Sequence, residues 1–197
     1  MASPSLSTQL REGTRDAHVA TEAAFALESR LSGRGAYGGL LADLRGFYGP
    51  IEAALTSVRG WAQLTPPLDV PSRCRSALLD EDLRGLGIAA PLDRVAAPLP
   101  ALPSLAHGLG CLYVIEGSAL GGRIVARRAR AALGSALPVA FFSSAGRDEV
   151  GADWGALQAA LDAFGAGNGA ARGAALRAAR ATFAAMGAHL RGAPVPA

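Results

Sequence analysis

The chain has 197 residues, half of them apolar but only 6% aromatic, enough for one domain to bury a sizeable core without staples. Its basic side is all Arg, and a formal charge of +3 is too mild to argue for nucleic acid. Two distant cysteines, Cys74 and Cys111, exclude a C-x-x-C zinc site or a disulfide framework. The N-terminal M-A-S-P-S-L-S-T-Q-L-R-E lacks a signal-peptide pattern, and no proline-free uncharged run reaches the ~20 residues of a membrane span. A cytoplasmic protein with neither nucleic-acid nor membrane partners is expected.

Ala and Leu dominate the apolar content, which favours an all-α domain over sheet. Residues 7–31 read as a first helix, with Leu6, Leu10, Ala17, Ala24, Phe25 and Leu31 near helical spacing. Ser5 or Ser7 serves as N-cap, and S-G-R-G ends it. A second helix over 37–59 presents Leu40, Leu41, Leu44, Phe47, Tyr48, Ile51 and Leu55 to the core, with Pro50 as a point of kinking. Three prolines make 61–71 irregular, a short helix follows over 73–86, and 89–103 is a second proline-rich connection. The longest helix is predicted over 104–133, stopped by Gly134 and Pro138. Phe141 and Phe142 fall in a connector as core plugs. Helices over 148–164 and 170–190, separated by G-A-G-N-G, complete a compact single-domain bundle.

The long helix carries glycines in its interior, where each costs roughly 0.5–1 kcal/mol relative to Ala. Gly110, Gly117 and Gly121 share one face, and Ser118 and Gly122 widen it by a row. Such a strip of bare backbone admits either a closely packed second helix or a flat ligand lying on main-chain atoms. On the first helix, Arg11, Arg15, His18 and Glu22 fall at i, i+4, i+7 and i+11, one stripe of two cations, an imidazole and a carboxylate. His18 is either a structural residue at the seam between polar stripe and core, or an iron ligand whose second nitrogen is held by Glu22. His107 has no carboxylate four residues to either side, and His189 stands at a helix end, so both rank below His18.

Tyr113 to Gly122, Y-V-I-E-G-S-A-L-G-G, resembles the distal-helix signature of bacterial heme oxygenases, especially the bacteriophytochrome-associated type. Thr14, His18 and Glu22 match the family's other signature, a histidine-bearing N-terminal helix. The resemblance covers both helices and extends weakly to A-A-R-A-T-F-A-A-M-G-A-H-L near the C-terminus. It implies a heme oxygenase-like multi-helical bundle holding haem b between a first, proximal helix and a kinked, Gly-rich distal helix. It also implies an enzyme for which haem is substrate and cofactor. O₂ and electrons from ferredoxin or a ferredoxin reductase would open the ring to biliverdin, by analogy IX-alpha, with release of CO and ferrous iron. Biliverdin would be available to a bacteriophytochrome.

Carried over by motif position, His18 is the proximal iron ligand, Glu22 its carboxylate partner, and Thr14 a wall residue. Arg11 and Tyr113 would reach propionates, and Gly117, Ser118, Gly121 and Gly122 would form the distal wall. Two features depart from the mammalian-type pattern. Ser118 stands where those members carry Asp, and their later basic residues fall here at Gly155 and Ala159, leaving Arg177 and Arg180 as substitutes. The run Arg123, Arg127, Arg128 and Arg130 is a solvated face or a surface that steers an acidic electron donor by charge. A haem or bilin carrier of the same fold, and a purely structural bundle, remain the alternatives.

Overall fold

The computed structural model describes residues 4–89, 98–144 and 150–192. Residues 90–97 of the connection expected over 89–103 and the first two residues of the helix expected at 148 lie outside them. Among the described residues all repetitive structure is helical, as the composition predicts.

The first helix is not the single rod expected. Ser5 caps α1 (Leu6–Gly13) by accepting a hydrogen bond from the Thr8 N–H, and α2 (Arg15–Phe25) follows after a bend at Thr14. The Thr14 hydroxyl donates to the Leu10 carbonyl at 2.7 Å, the back-bonding that bends helices from within. The ladder nevertheless runs through, because Thr14 N–H donates to Leu10 O and His18 N–H to Thr14 O. The register that aligns Arg11, Arg15, His18 and Glu22 therefore survives. At Ala26 the backbone turns left-handed (φ 46°, ψ 48°) and ends α2, and a separate α3 (Leu27–Arg30) leads away. Nothing in the sequence marks this break, since Ala is not a residue that favours that conformation.

The second helix, α4 (Arg34–Ser57), buries every residue expected on its core face and continues past Pro50. Each such large side chain contributes on the order of 1.5–3 kcal/mol by leaving water. The expected 73–86 helix is α6 (Ser76–Gly85), and a separate helical turn, α5 (Val70–Arg73), begins within the stretch expected to be irregular. Glu52 of α4, buried in the core, divides them: its carboxylate accepts from the Arg75 and Ser76 N–H groups at 2.7 and 2.9 Å and so caps α6. The long helix α7 (Leu105–Leu133) is as expected. By length and composition α7 could also cross a membrane, but 61% of its most apolar window is buried within the fold.

A short α8 (Ala140–Ser143) begins on a second buried carboxylate, Asp82 of α6, which accepts from Ala140 and Phe141 N–H at 2.7 and 2.9 Å. Finally α9 (Val150–Gly165) leads to α10 (Gly169–Gly192), which packs along both α7 and α2. Those two helices thus rest on a common support.

Candidate functional site

A cavity of about 1020 Å³ opens between α1/α2 on one side and α7 on the other. That volume is at the top of the range for small-molecule sites. Among the described residues the three large apolar side chains left exposed are Val19, Leu120 and Ile124, and all three line this cavity. Exposed apolar surface gathered in one place marks a ligand groove.

On the α2 wall, His18 has its side chain 56% exposed and stands edge-on to Phe183 of α10, with ring centroids 5.7 Å apart. Glu22 Oε2 approaches His18 Nδ1 to 3.6 Å. This is within ion-pair reach but too long for a hydrogen bond. With the carboxylate on the Nδ1 side, Nε2 remains for a ligand. Arg11 and Arg15 line the same cavity and, among the described residues, have no carboxylate within 4 Å. Thr14 is buried, and its side chain interacts with that of Tyr113 on α7, where the two walls meet. Burial pushes the Tyr113 hydroxyl above its ordinary value, opposed by the neighbouring Thr14 side chain and the Arg11 charge, so it stays neutral at physiological pH.

The glycine face of α7 divides between two uses. A methyl group at Gly110 would come within 2.0 Å of the Ala175 carbonyl oxygen, and one at Gly122 within 2.4 Å of that of Phe142. Close packing of α10 and α8 therefore requires those two glycines. At Gly117 an added methyl would make only ordinary contact with Trp154 at 3.6 Å, and at Gly121 it would meet nothing within 4 Å. Both of these residues line the cavity, as does the backbone at Gly122. The ledge expected from Gly110 onward is thus shorter than its spacing suggests, and helix packing takes its first member.

Between Gly117 and Gly121 sits a polar network that only partly follows from the sequence. Ser118 Oγ donates to Ile115 O at 2.6 Å, so it accepts from the Tyr48 hydroxyl at 2.6 Å and from Arg75 Nη2 at 3.0 Å. Arg75 Nη2 also donates to Ile115 O at 2.9 Å, and its guanidinium lies over the Phe141 and Tyr48 rings at 4.8 and 5.5 Å. Such stacking holds a buried cation without a carboxylate facing the cavity. Burial raises the Tyr48 pKa, an effect that the Arg75 charge partly opposes. The Tyr48 hydroxyl therefore keeps its proton at neutral pH and is a poor proton-releasing acid.

Several expected residues lie elsewhere. Arg177 and Arg180 do not line the cavity, and Arg180 Nε instead donates to Gly13 O at 2.7 Å, capping α1. His107 binds Ser104 Oγ at 2.8 Å, and His189 Nε2 binds the Asp43 carbonyl at 2.7 Å, so both rivals of His18 have structural partners. Arg128, assigned to a solvated run, lines the cavity and pairs with Glu28. Phe141 and Phe142 plug the core as expected and also face the cavity. Arg75, Trp154 and Phe183 carry no motif or spacing signal in the sequence, where Tyr48 reads as a core residue alone.

The chemistry of this lining fits haem. A flat apolar slot is flanked by an imidazole with a free nitrogen and bare backbone, and two unpaired arginines stand at one end to receive carboxylates.

The comparisons with known proteins point the same way. The family model described as heme oxygenase matches residues 4–191. A heme oxygenase of Xanthomonas campestris pv. campestris (strain 8004) is 43% identical over 113 residues, 57% of this chain and 64% of that protein, so the match spans slightly under two thirds of that relative. The solved heme oxygenase of Neisseria meningitidis, described in NO- and CO-bound forms, has a TM-score of 0.76 at 19% identity, covering 96% of this chain and 92% of that one. The heme oxygenase of Leptospira interrogans gives 0.75 at 23% identity over 95% and 99%. At those identities the two structures establish the fold. With nearly the whole chain matched by the family model, this protein belongs to the heme oxygenase family.

Proposed function

We propose that the chain is a heme oxygenase that opens haem, using O₂ and electrons, to biliverdin, CO and ferrous iron. The observation that carries this reading is the pairing, across one slot, of an unshielded His18 imidazole with the side-chain-free backbone of Gly117 and Gly121. Bound haem supplies the redox chemistry. The chain supplies orientation and a controlled polar environment. His18 Nε2 is placed to hold the iron, and Glu22 flanks Nδ1, favouring the tautomer in which that nitrogen carries the proton. Arg11 and Arg15, with the Tyr113 hydroxyl, receive the propionates and set the in-plane angle. Gly117 and Gly121 let the backbone approach the macrocycle. Ser118, Tyr48 and Arg75 are bonded to one another and to Ile115 O, giving this wall a fixed polar patch, which suits oxidation of the ring edge better than a strong acid would.

The alpha isomer, an acidic donor of the ferredoxin type or a ferredoxin reductase, delivery of product to a bacteriophytochrome, and a cytoplasmic location complete the proposal. They rest on the signature resemblance and on the arginine-rich surface of α7. Hemin titration tests the reading. A Soret band should form with wild type and be lost or strongly shifted in His18→Ala. Reductant and O₂ should then convert the complex to a bilin. A stable haem spectrum under turnover conditions would instead identify a carrier, and no Soret band at all would leave a structural bundle.

A further inference from the structure

The slot has two cationic ends, and only one of them is neutralised. At one end stand Arg11 and Arg15, near Thr14 and Tyr113, without a carboxylate within 4 Å among the described residues. At the other end Arg128 of α7 is ion-paired with Glu28 of α3. Between Tyr113 and Arg128 α7 rises about 22 Å, so the two ends are well separated along the wall. The fourth cation of the lining, Arg75, lies between them, and its guanidinium is taken up by Ile115 O, Ser118 Oγ and two aromatic faces.

A flat substrate with both carboxylates on one side can present them to either end by turning in its own plane. Each seating would bring a different meso edge beneath the Ser118, Tyr48 and Arg75 network. Attraction to a guanidinium already paired with a carboxylate is largely cancelled, and the approaching carboxylate also meets the repulsion of the paired one.

Resting on the function proposed above, we infer that Glu28 determines which edge of haem is oxidised, by occupying Arg128 and so leaving Arg11 and Arg15 as the single anchor for the carboxylates. Glu28 acts through Arg128 as a positioning residue. Its place follows from the left-handed turn at Ala26, which ends α2 and directs α3 toward α7.

The test uses the full chain reconstituted with hemin as wild type, Glu28→Gln, Arg128→Gln and the double variant. Glu28 is 84% exposed, so neutralising it should leave the fold intact, checked by circular dichroism. Proton NMR of the cyanide-bound ferric complex counts sets of haem-methyl resonances, and thus seatings, without turnover. Chromatography of the bilin products then reads the isomers. Glu28→Gln should raise the minor seating and its isomer about threefold to fivefold, the range an exposed charge pair supports. The double variant should return to the wild-type pattern.

An unchanged methyl pattern in Glu28→Gln, or a second seating that persists in the double variant, would overturn the assignment. If wild type binds hemin but makes no bilin, the oxygenase reading falls while the NMR comparison still decides the role of Glu28. If wild type binds no hemin, both fall.

Discussion

A methyl group added at Gly121 meets nothing within 4 Å, whereas at Gly110 it would stand 2.0 Å from a main-chain oxygen. One substitution should therefore have opposite effects at the two sites. Gly121→Ala removes an interior glycine from α7 and should stabilise the free protein by about 0.5–1 kcal/mol. The same methyl intrudes on the slot, so hemin affinity should fall about tenfold, equivalent to about 1.4 kcal/mol. Gly110→Ala should destabilise by roughly 1–3 kcal/mol, because α10 must shift to relieve the clash. Thermal unfolding paired with hemin titration separates the effects, and a destabilised Gly121→Ala would contradict an open ledge. At this scale the sequence reveals what helical periodicity can carry. Arg11, His18 and Glu22 are spaced by the turn of one helix, and their common face survives the bend at Thr14. Spacing alone does not tell which of several aligned glycines faces a neighbour, because that depends on where α10 and α8 dock.

Among the elements, two short starts rest on carboxylates from distant positions in the chain: Glu52 at α6 and Asp82 at α8. The first delivers Arg75 to the slot, and the second fixes Phe141 and Phe142 beside it. Asp82→Ala leaves a buried N–H of Phe141 and a half-buried one of Ala140 without acceptors and should cost roughly 2–4 kcal/mol, about 1–2 for each. Burial holds the Asp82 carboxyl above the usual carboxylate range, although its bonds to Phe141 and Ala140 N–H oppose the shift. Folding therefore favours the protonated form. The ionisation-linked part of its stabilisation is full below the unfolded value of about 4 and is lost as pH rises through the higher folded value. Urea unfolding across an acid pH series should show the stability gap between wild type and Asp82→Ala narrowing as pH rises, and a widening gap would refute this sign. Neither contact could be read from the sequence, since each joins residues more than twenty positions apart with no periodic pattern between them. The interruption at Ala26 was hidden for another reason: a residue favourable to helices occupies the position at which the helix ends.

For the molecule as a whole, the three tyrosines make a usable reporter. Tyr37, Tyr48 and Tyr113 all have raised pKa values, with burial the leading cause in each. Their contribution to stability is present below the unfolded value of about 10 and disappears as pH climbs through the folded values. Tyrosinate absorbance near 295 nm should thus remain flat through pH 10 and rise together with loss of helical signal. Ionisation of one third of the tyrosines near pH 10 in intact protein would show that one of them is not shielded. The bundle itself was legible because Ala and Leu content, proline punctuation and long amphipathic runs all specify helices. The cavity was less so, since its shape depends on how far apart those helices stand.

That separation is governed from below. Buried Ala174, Ala175, Ala178 and Ala179 make α10 a slim gauge block between two jaws, one carrying the imidazole and the other the bare glycines. The opening is calibrated by a third helix whose small side chains never reach its centre. Bulkier neighbours on that spacer would alter the bite of the clamp while leaving every ligand-facing group in its original sequence.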